Sequence, residues 1–448
     1  MNYAEAVTYL EALVDHEQLG FRRHMASVVS LDTMRALSLL LGEPHLGLCF
    51  AHIAGSKGKG SVAAMIEAMA RAAGLTTGLY TSPHLVSPRE RLRIDGYPIP
   101  EEELAELTTA VRPALEEIRA MGQLSPPTFF EAYTAMALLC FARHRVALAV
   151  LETGLGGRFD ATNIVTPAAC AITSLSLEHT DILGSTIGQI AAEKAGILKP
   201  GVPAVVGELP PEGLAVVEER AAEVGAPLRR APGVRIVTSP ILGPDDDPRP
   251  QVIEIGDDPP HRYELGLLGD YQARNAAVAV ALAEALGEAL GQKAFGPGAE
   301  AVATGLRDVR WPGRLQVAGK SPRLVLDCAH TPAAAAGLAT SLRRYFRYDR
   351  LWLVVGMSDD KDVEGFAAAL APLGGTVFAC RAGLPRALPP EVLKQRAVGI
   401  WDEARESGNV AAAVDAALSE AGPGDLVCVT GSVYVVGEAM QHLGLEPW

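Results

Sequence analysis

Short apolar runs of strand length alternate with helical patterns along most of this chain, and that alternation restricts its fold more than any other feature. Leu48–Ala54 is followed by a glycine-rich turn and a helical run, Ser61–Ala73. Thr76–Thr81, Arg145–Thr153 and Ala168–Ser174 are further apolar runs of the same kind. Continuous apolar strands are buried on both faces, and helices between them imply parallel neighbours joined by crossovers. An α/β fold with a mainly parallel sheet is therefore expected. A second, shorter series runs through strands Leu324–Cys328, Leu351–Gly356, Thr376–Cys380 and Leu426–Gly431. Helical patterns at Pro332–Phe346, Val363–Ala371 and Val410–Ala421 separate them. Two domains are expected, 1–309 and 310–448. Tyr3, Val7, Leu10 and Val14 predict a first helix, Gln272–Leu290 an Ala-rich one, and Gly243–Pro260 a surface hairpin or loop.

Composition removes several functional classes. With 39 Lys and Arg against 53 Asp and Glu, the net charge is −14, which argues against a nucleic-acid-binding surface. Apolar residues make up 49% of 448, enough to bury a core without disulfides. Six cysteines without a CxxC pair read as buried thiols of a reducing cytoplasm. No uncharged apolar stretch reaches the roughly 18 residues of a membrane span. The acidic, amphipathic start does not resemble a targeting leader.

The sharpest local signal is Gly55-Ser56-Lys57-Gly58-Lys59-Gly60-Ser61, which leaves a strand and opens a helix. Glycines let successive amides turn toward one anion, the helix start adds partial positive charge, and Lys59 adds a full one. The spacing departs from the common Walker pattern, since two residues separate Gly55 from Gly58-Lys59 and Gly60 precedes Ser61.

Glu152 ends a strand before the glycines of Thr153–Gly157, where open α/β sheets bind ligands, and is placed to hold Mg²⁺ beside phosphates. Glu178-His179 follows the next strand. His179 on spacing alone is balanced between an ordinary surface imidazole and a metal ligand. Lys194 lies in an apolar helical run, where a snorkelling side chain is the ordinary reading and a desolvated, modified lysine the other.

Taken together, HIAGSKGKGS (52–61), YTSPHLVSPRERLRIDG (80–96), TFFEAYTAMA (128–137), LETGLGGRFDATN (151–163), EHTDILGSTIGQIAAEKAGIL (178–198), NAAVA (275–279), WPGRL (311–315) and DCAHTP (327–332) resemble the folylpolyglutamate synthase/dihydrofolate synthase branch of the Mur ligases. The resemblance implies a P-loop ATPase domain, a smaller Rossmann-like domain and ATP-dependent addition of L-glutamate to dihydropteroate or to reduced folates. It implies that residues 55–61, Asn275, Arg314, Asp327 and His330 contact ATP, with His330 a candidate base. Ser82, Glu152, His179 and a carbamylated Lys194 would be metal ligands, with two Mg²⁺ and room for a monovalent cation. Thr128, Phe129, Phe130, Glu131 and Arg158 would hold the pterin-bearing substrate. A monomer in the cytoplasm, with no nucleic-acid or membrane partner, is the implied setting. The pattern departs from the family at Ser56-Lys57 (usually Thr-Asn), Glu178 (usually Asp), Cys328 (usually Gly) and Thr331 (usually Asn). Another amide ligase of the superfamily and a non-catalytic nucleotide-binding regulator are the competing readings. Only about 50 residues precede the phosphate loop, too few for the UDP-sugar domain of a peptidoglycan-precursor ligase.

Overall fold

The computed structural model describes residues 1–15 and 30–447. Its largest sheet has eight strands: β1 (Phe50–Ala54), β2 (Thr77–Tyr80), β3 (Leu92–Ile94), β4 (Tyr97–Pro98), β5 (Leu148–Glu152), β6 (Ala169–Ile172), β7 (Ala204–Val206) and β8 (Leu228–Arg230). Their order is β4-β3-β2-β5-β1-β6-β7-β8. The pairs from β2 through β8 are parallel, and β3 and β4 add an antiparallel edge. Every residue of β1, β2, β5 and β6 is buried, as expected of strands covered on both sides. One face packs on the helices Lys59–Ala72, Asp270–Leu290 and Glu300–Asp308. The other is covered by the helices Tyr3–Glu11, Asp32–Leu40, Glu101–Met121 and Phe129–His144. Gly305 lets one helix approach another closely: a Cβ there would lie 2.5 Å from the Met69 backbone.

A three-stranded antiparallel sheet follows, β9 (Val234–Thr238), β10 (Gln251–Ile255) and β11 (His261–Leu265), with β10 central. The segment 243–260, expected as a surface hairpin or loop, holds the five-residue strand β10 and the turn that leads into β11. Gln251 is fully buried, donating to the carbonyls of Leu267 and Gly269 and accepting from the Tyr345 hydroxyl. The polar residues around it hid this strand from the periodicity.

The third sheet is β12 (Gln316–Gly319), β13 (Arg323–Leu326), β14 (Leu351–Val355), β15 (Thr376–Arg381), β16 (Glu403–Asn409) and β17 (Leu426–Thr430), in the order β12-β13-β17-β14-β15-β16. All neighbours are parallel except β12–β13, and separate apolar clusters cover its two faces. The helix Glu300–Asp308 is the last element before this sheet. The segment after β9 crosses over to it: Leu242 N–H donates to the Tyr345 carbonyl and Arg347 N–H to the Leu242 carbonyl. Buried Arg323 reaches the carbonyls of Gly243 and Asp246.

Element edges differ from expectation for local reasons. Arg145 sits in the left-handed region (φ 51°) and caps the preceding helix, so the strand starts at Leu148, not Arg145. The first helix stops at Glu11. Val14 instead lies extended beside Thr128 and accepts the N–H of Phe129. Among the described residues no helix is long and apolar enough to cross a membrane.

Candidate active site

The C-terminal edge of the large sheet and the facing edge of the second parallel sheet enclose a cleft of about 1440 Å³. Its floor is the turn after β1. Gly55 takes φ +148° and Gly58 φ +86°, and a Cβ at Gly55 would overlap the Thr173 hydroxyl at 2.0 Å. Residues after β6 brace this turn. Thr173 Oγ1 and Ser174 Oγ both donate to the Lys57 carbonyl, and Lys57 N–H donates back to Ser174 Oγ. Ser56 Oγ donates to the Ser176 carbonyl at 3.2 Å and accepts the Ser176 N–H at 3.0 Å. The hydroxyl at position 56 therefore has a structural task that serine performs. Gly58 precedes the helix Lys59–Ala72 without a side-chain cap, leaving its first amides open to an anion.

Three lysines converge on this floor. Lys59 Nζ and Lys194 Nζ each donate to the Gly55 carbonyl at 3.0 Å. Lys194 also pairs with Glu178 at 3.0 Å, and Lys57 approaches the same carboxylate at 3.5 Å. The snorkelling reading of Lys194 is overturned: only 1% of the residue is exposed. Burial pulls its ammonium down to about 8 against the attraction of Glu178. Burial alone would raise the Glu178 carboxyl, but Lys194, Lys59 and Lys57 outweigh it and bring it to about 2. One carboxylate against three ammoniums leaves an electropositive floor.

Glu152, at the end of β5, is buried, and its Oε2 accepts the Ser82 N–H at 3.3 Å. His179 stands at the cleft rim in the left-handed region, φ 46°. Ser82, Glu152, His179 and Lys194 all line the same cleft. The carboxylate and hydroxyl oxygens of Glu152 and Ser82 are hard donors that suit Mg²⁺.

The roof comes from the second parallel sheet and the start of the helix Asp270–Leu290. Asn275 Nδ2 donates to Gln272 Oε1 at 2.9 Å, and Gln272 Nε2 donates to Ser61 Oγ at 3.1 Å, so the roof helix is tied to the phosphate-loop helix. Asp327 is buried; it accepts from Leu315 N–H, Ala329 N–H and the Tyr271 hydroxyl. Arg314 lines the same cleft, within reach of the charge of both this carboxylate and Glu152. His330 Nδ1 must donate to the Cys328 carbonyl, 2.9 Å away, which leaves Nε2 as the acceptor. Burial, helped by Lys57, lowers this ring to about 3, a weak proton acceptor for an amine. Thr331 caps its helix by accepting the Ala334 N–H, so the shorter side chain still serves locally. Ser358, Asp360, Lys361 and Arg386 also line the roof. The sequence reading missed them because they sit on loops with no motif. The cation–carboxylate pairs of Asp360 with Lys361 and Arg386 are the signal that appears only after folding.

At the far end of the cleft, Thr128 and Glu131 form a reciprocal helix cap: the Glu131 N–H donates to Thr128 Oγ1, and the Thr128 N–H and hydroxyl donate to Glu131 Oε2. The Phe130 ring lies over Gly154, where a Cβ would come within 2.6 Å of it. Asp160, missed as a site residue, anchors the loop after β5. It accepts from Leu155 N–H, Thr162 N–H and the Thr162 hydroxyl, which in turn accepts from His52 Nε2. Two expected substrate residues lie elsewhere. Phe129 is core, packed on Tyr133 with the Arg91 guanidinium 5.0 Å from its ring. Arg158 is exposed and stacks on Phe159 at 4.8 Å, outside the cleft lining.

Comparison with known proteins places these features in a family. The Mur ligase middle domain matches residues 53–283, and the Mur ligase glutamate ligase domain matches 313–433. A probable bifunctional folylpolyglutamate synthase/dihydropteroate synthase of Haloferax volcanii is 41% identical over 98% of this chain, which spans 50% of that relative. The chain thus covers about half the length of this curated relative. A Mycobacterium tuberculosis folylpolyglutamate synthase complexed with ADP superposes with a TM-score of 0.86 at 33% identity, covering 100% of this chain and 99% of that one. E. coli FolC in complex with DHPP and ADP gives 0.82 at 30% identity, over 99% and 98%.

Proposed function

The chain belongs to the Mur ligases, in their folylpolyglutamate synthase/dihydrofolate synthase branch, and we propose that it uses ATP to join L-glutamate to the carboxylate of dihydropteroate, of a reduced folate, or of both. The observation that carries this reading is the cleft floor: an uncapped helix start and three lysines around one carboxylate, built to hold a polyphosphate. The apolar end, with Phe130 and the anchored loop at Asp160, suits a flat heteroaromatic group. ADP in the mycobacterial relative and DHPP in the E. coli relative support the same two occupants.

Amide formation from a carboxylate in water is uphill, so the γ-phosphoryl group of ATP is transferred to the substrate carboxylate. The acyl phosphate is then attacked by the neutral glutamate amine, and phosphate leaves. Lys59 and the turn amides offset the charge that accumulates as carboxylate and triphosphate meet, and Arg314 adds a cation from the opposite wall. Asn275, Asp327 and His330 orient the nucleotide. Because floor and roof come from different sheets, closure excludes the water that would hydrolyse the acyl phosphate. Two Mg²⁺ would be held by Ser82 and Glu152 and by His179 with a modified Lys194, supplying Lewis-acid neutralisation of the phosphates. A lysine held near 8 keeps a neutral fraction at neutral pH, and the neutral amine is the form that takes up CO₂. As a carbamate, residue 194 would repel Glu178 unless a cation lay between them.

The test is phosphate release that depends on glutamate, with dihydropteroate and tetrahydrofolate compared as acceptors. Release with either supports ligation and names the substrate; ATP binding without release with either would indicate a regulator. Intact-mass measurement under CO₂ tests the carbamate, and an unmodified Lys194 in the active protein would remove it.

A further inference from the structure

Away from the cleft, Glu103, Cys140 and His144 bring a carboxylate oxygen, a sulfur and an imidazole nitrogen within 4.8 Å of one another, and no other three His, Cys, Asp or Glu side chains do so among the described residues. Cys140 and His144 are four residues apart on the helix Phe129–His144, hence on one face. Glu103 lies in the first turn of the helix Glu101–Met121. Its Oε1 is 2.6 Å from His144 Nε2 and 3.6 Å from Cys140 Sγ.

Tetrahedral zinc, with Zn–S of about 2.3 Å and Zn–N or Zn–O of about 2.0–2.1 Å, sets its ligand atoms roughly 3.3–3.7 Å apart. The sulfur–oxygen spacing already fits. The nitrogen–oxygen spacing must open by roughly 0.7 Å to reach that range, and His144 is free enough to swing, its side chain being 38% exposed. Glu103 is 20% exposed, so the ion has a solvent path to a sulfur that is itself buried. A mixed S, N, O set selects zinc over magnesium, and a water completes the fourth position. The helix runs 16 residues from Thr128 at the cleft to His144, about 24 Å at 1.5 Å per residue, so these ligands are separate from the phosphate floor.

We propose that Glu103, Cys140 and His144 form a zinc site that pins the start of one helix to the end of the other. On binding, the Cys140 S–H proton leaves to solvent, a sulfur–metal bond forms, and the His144–Glu103 hydrogen bond is replaced by two bonds to the ion.

Cobalt(II) is the probe, added to the chelator-stripped full chain in excess Mg²⁺. We expect one equivalent to produce the near-ultraviolet thiolate–cobalt band and the visible bands of a tetrahedral ion, both displaced by Zn²⁺. Loss of a direct ligand costs no less than the roughly tenfold typical of losing an outer partner. His144→Ala and Glu103→Gln should therefore each weaken binding at least that much while the chain stays folded by circular dichroism. Cys328→Ala, which removes the cleft thiol, should leave the band intact. Absence of a thiolate band at stoichiometric metal, its survival in His144→Ala, or its loss in Cys328→Ala would overturn the site.

Discussion

Replacing Gly58 by alanine tests how the phosphate loop and its roof are coupled. Gly58 has φ +86°, and a Cβ there would lie 2.3 Å from Asn275 Oδ1 and 3.0 Å from its Cγ. Holding an L-residue in the left-handed region costs about 1–2 kcal/mol. Asn275 must also move, giving up its hydrogen bond to Gln272, worth about 1 kcal/mol. The expected loss is therefore about 2–3 kcal/mol, read from urea unfolding of the folded variant. Because the strain falls on the loop that holds phosphate, ADP affinity by calorimetry should drop at least about tenfold, the equivalent of 1.4 kcal/mol. Adding Asn275→Ala removes the clashing atoms, so the double variant should be less destabilised than the two single changes added together, by about 1 kcal/mol. Unchanged ADP affinity in Gly58→Ala, or strictly additive stabilities, would refute the coupling.

Lys59→Ala and Glu152→Gln should each lower glutamate-dependent phosphate release by about 10²–10³, the usual loss for one electrostatic partner, with unfolding midpoints unchanged. Glu178→Gln leaves Lys194 buried without its carboxylate and should cost about 3 kcal/mol at pH 7. Glu178 is ionised well below the usual carboxylate range in the fold, so its stabilisation is complete above about pH 4.5 and lost as pH falls toward 2. Wild-type and variant unfolding curves should accordingly converge across that window, stay apart between it and about pH 8, and narrow again as Lys194 loses its proton above about 8. Phe130→Ala empties the space over Gly154 and should raise KM for the pterin substrate more than it lowers kcat. Asp160→Asn puts an amide where N–H and O–H donors point, so a loss of about 1–3 kcal/mol is expected in denaturant unfolding.

The readable parts of the fold were those where one local rule suffices. Apolar strands such as Leu148–Glu152 announce burial on two faces whatever surrounds them, and the turn after Ala54 carries its own conformational demand. Elements shaped by their neighbours were not readable. Glu403–Asn409 is polar apart from Ala404 and Gly408, and only pairing with Thr376–Arg381 makes it a strand. Gln251 stands among prolines and aspartates, yet its amide is satisfied by carbonyls 16 and 18 residues away and by a tyrosine 94 residues away.

The site divides in the same way. Residue types and their order along the chain were enough to nominate Lys59 and Glu152, because binding a triphosphate requires glycines, a cation and a strand-end carboxylate where an α/β sheet presents them; Lys194 and Arg314 were nominated only through the resemblance to the family. Charge state and partnership were decided by tertiary structure. Lys194 looked solvated until the helix holding it was seen to bury it against Glu178 and the Gly55 carbonyl. Phe129 and Phe130 are adjacent in sequence, but the turn of the helix sends one into the core beneath Arg91 and the other over Gly154 at the cleft. Local sequence determines conformations whose energies are local, whereas desolvation and long-range pairing depend on which distant segments exclude water together.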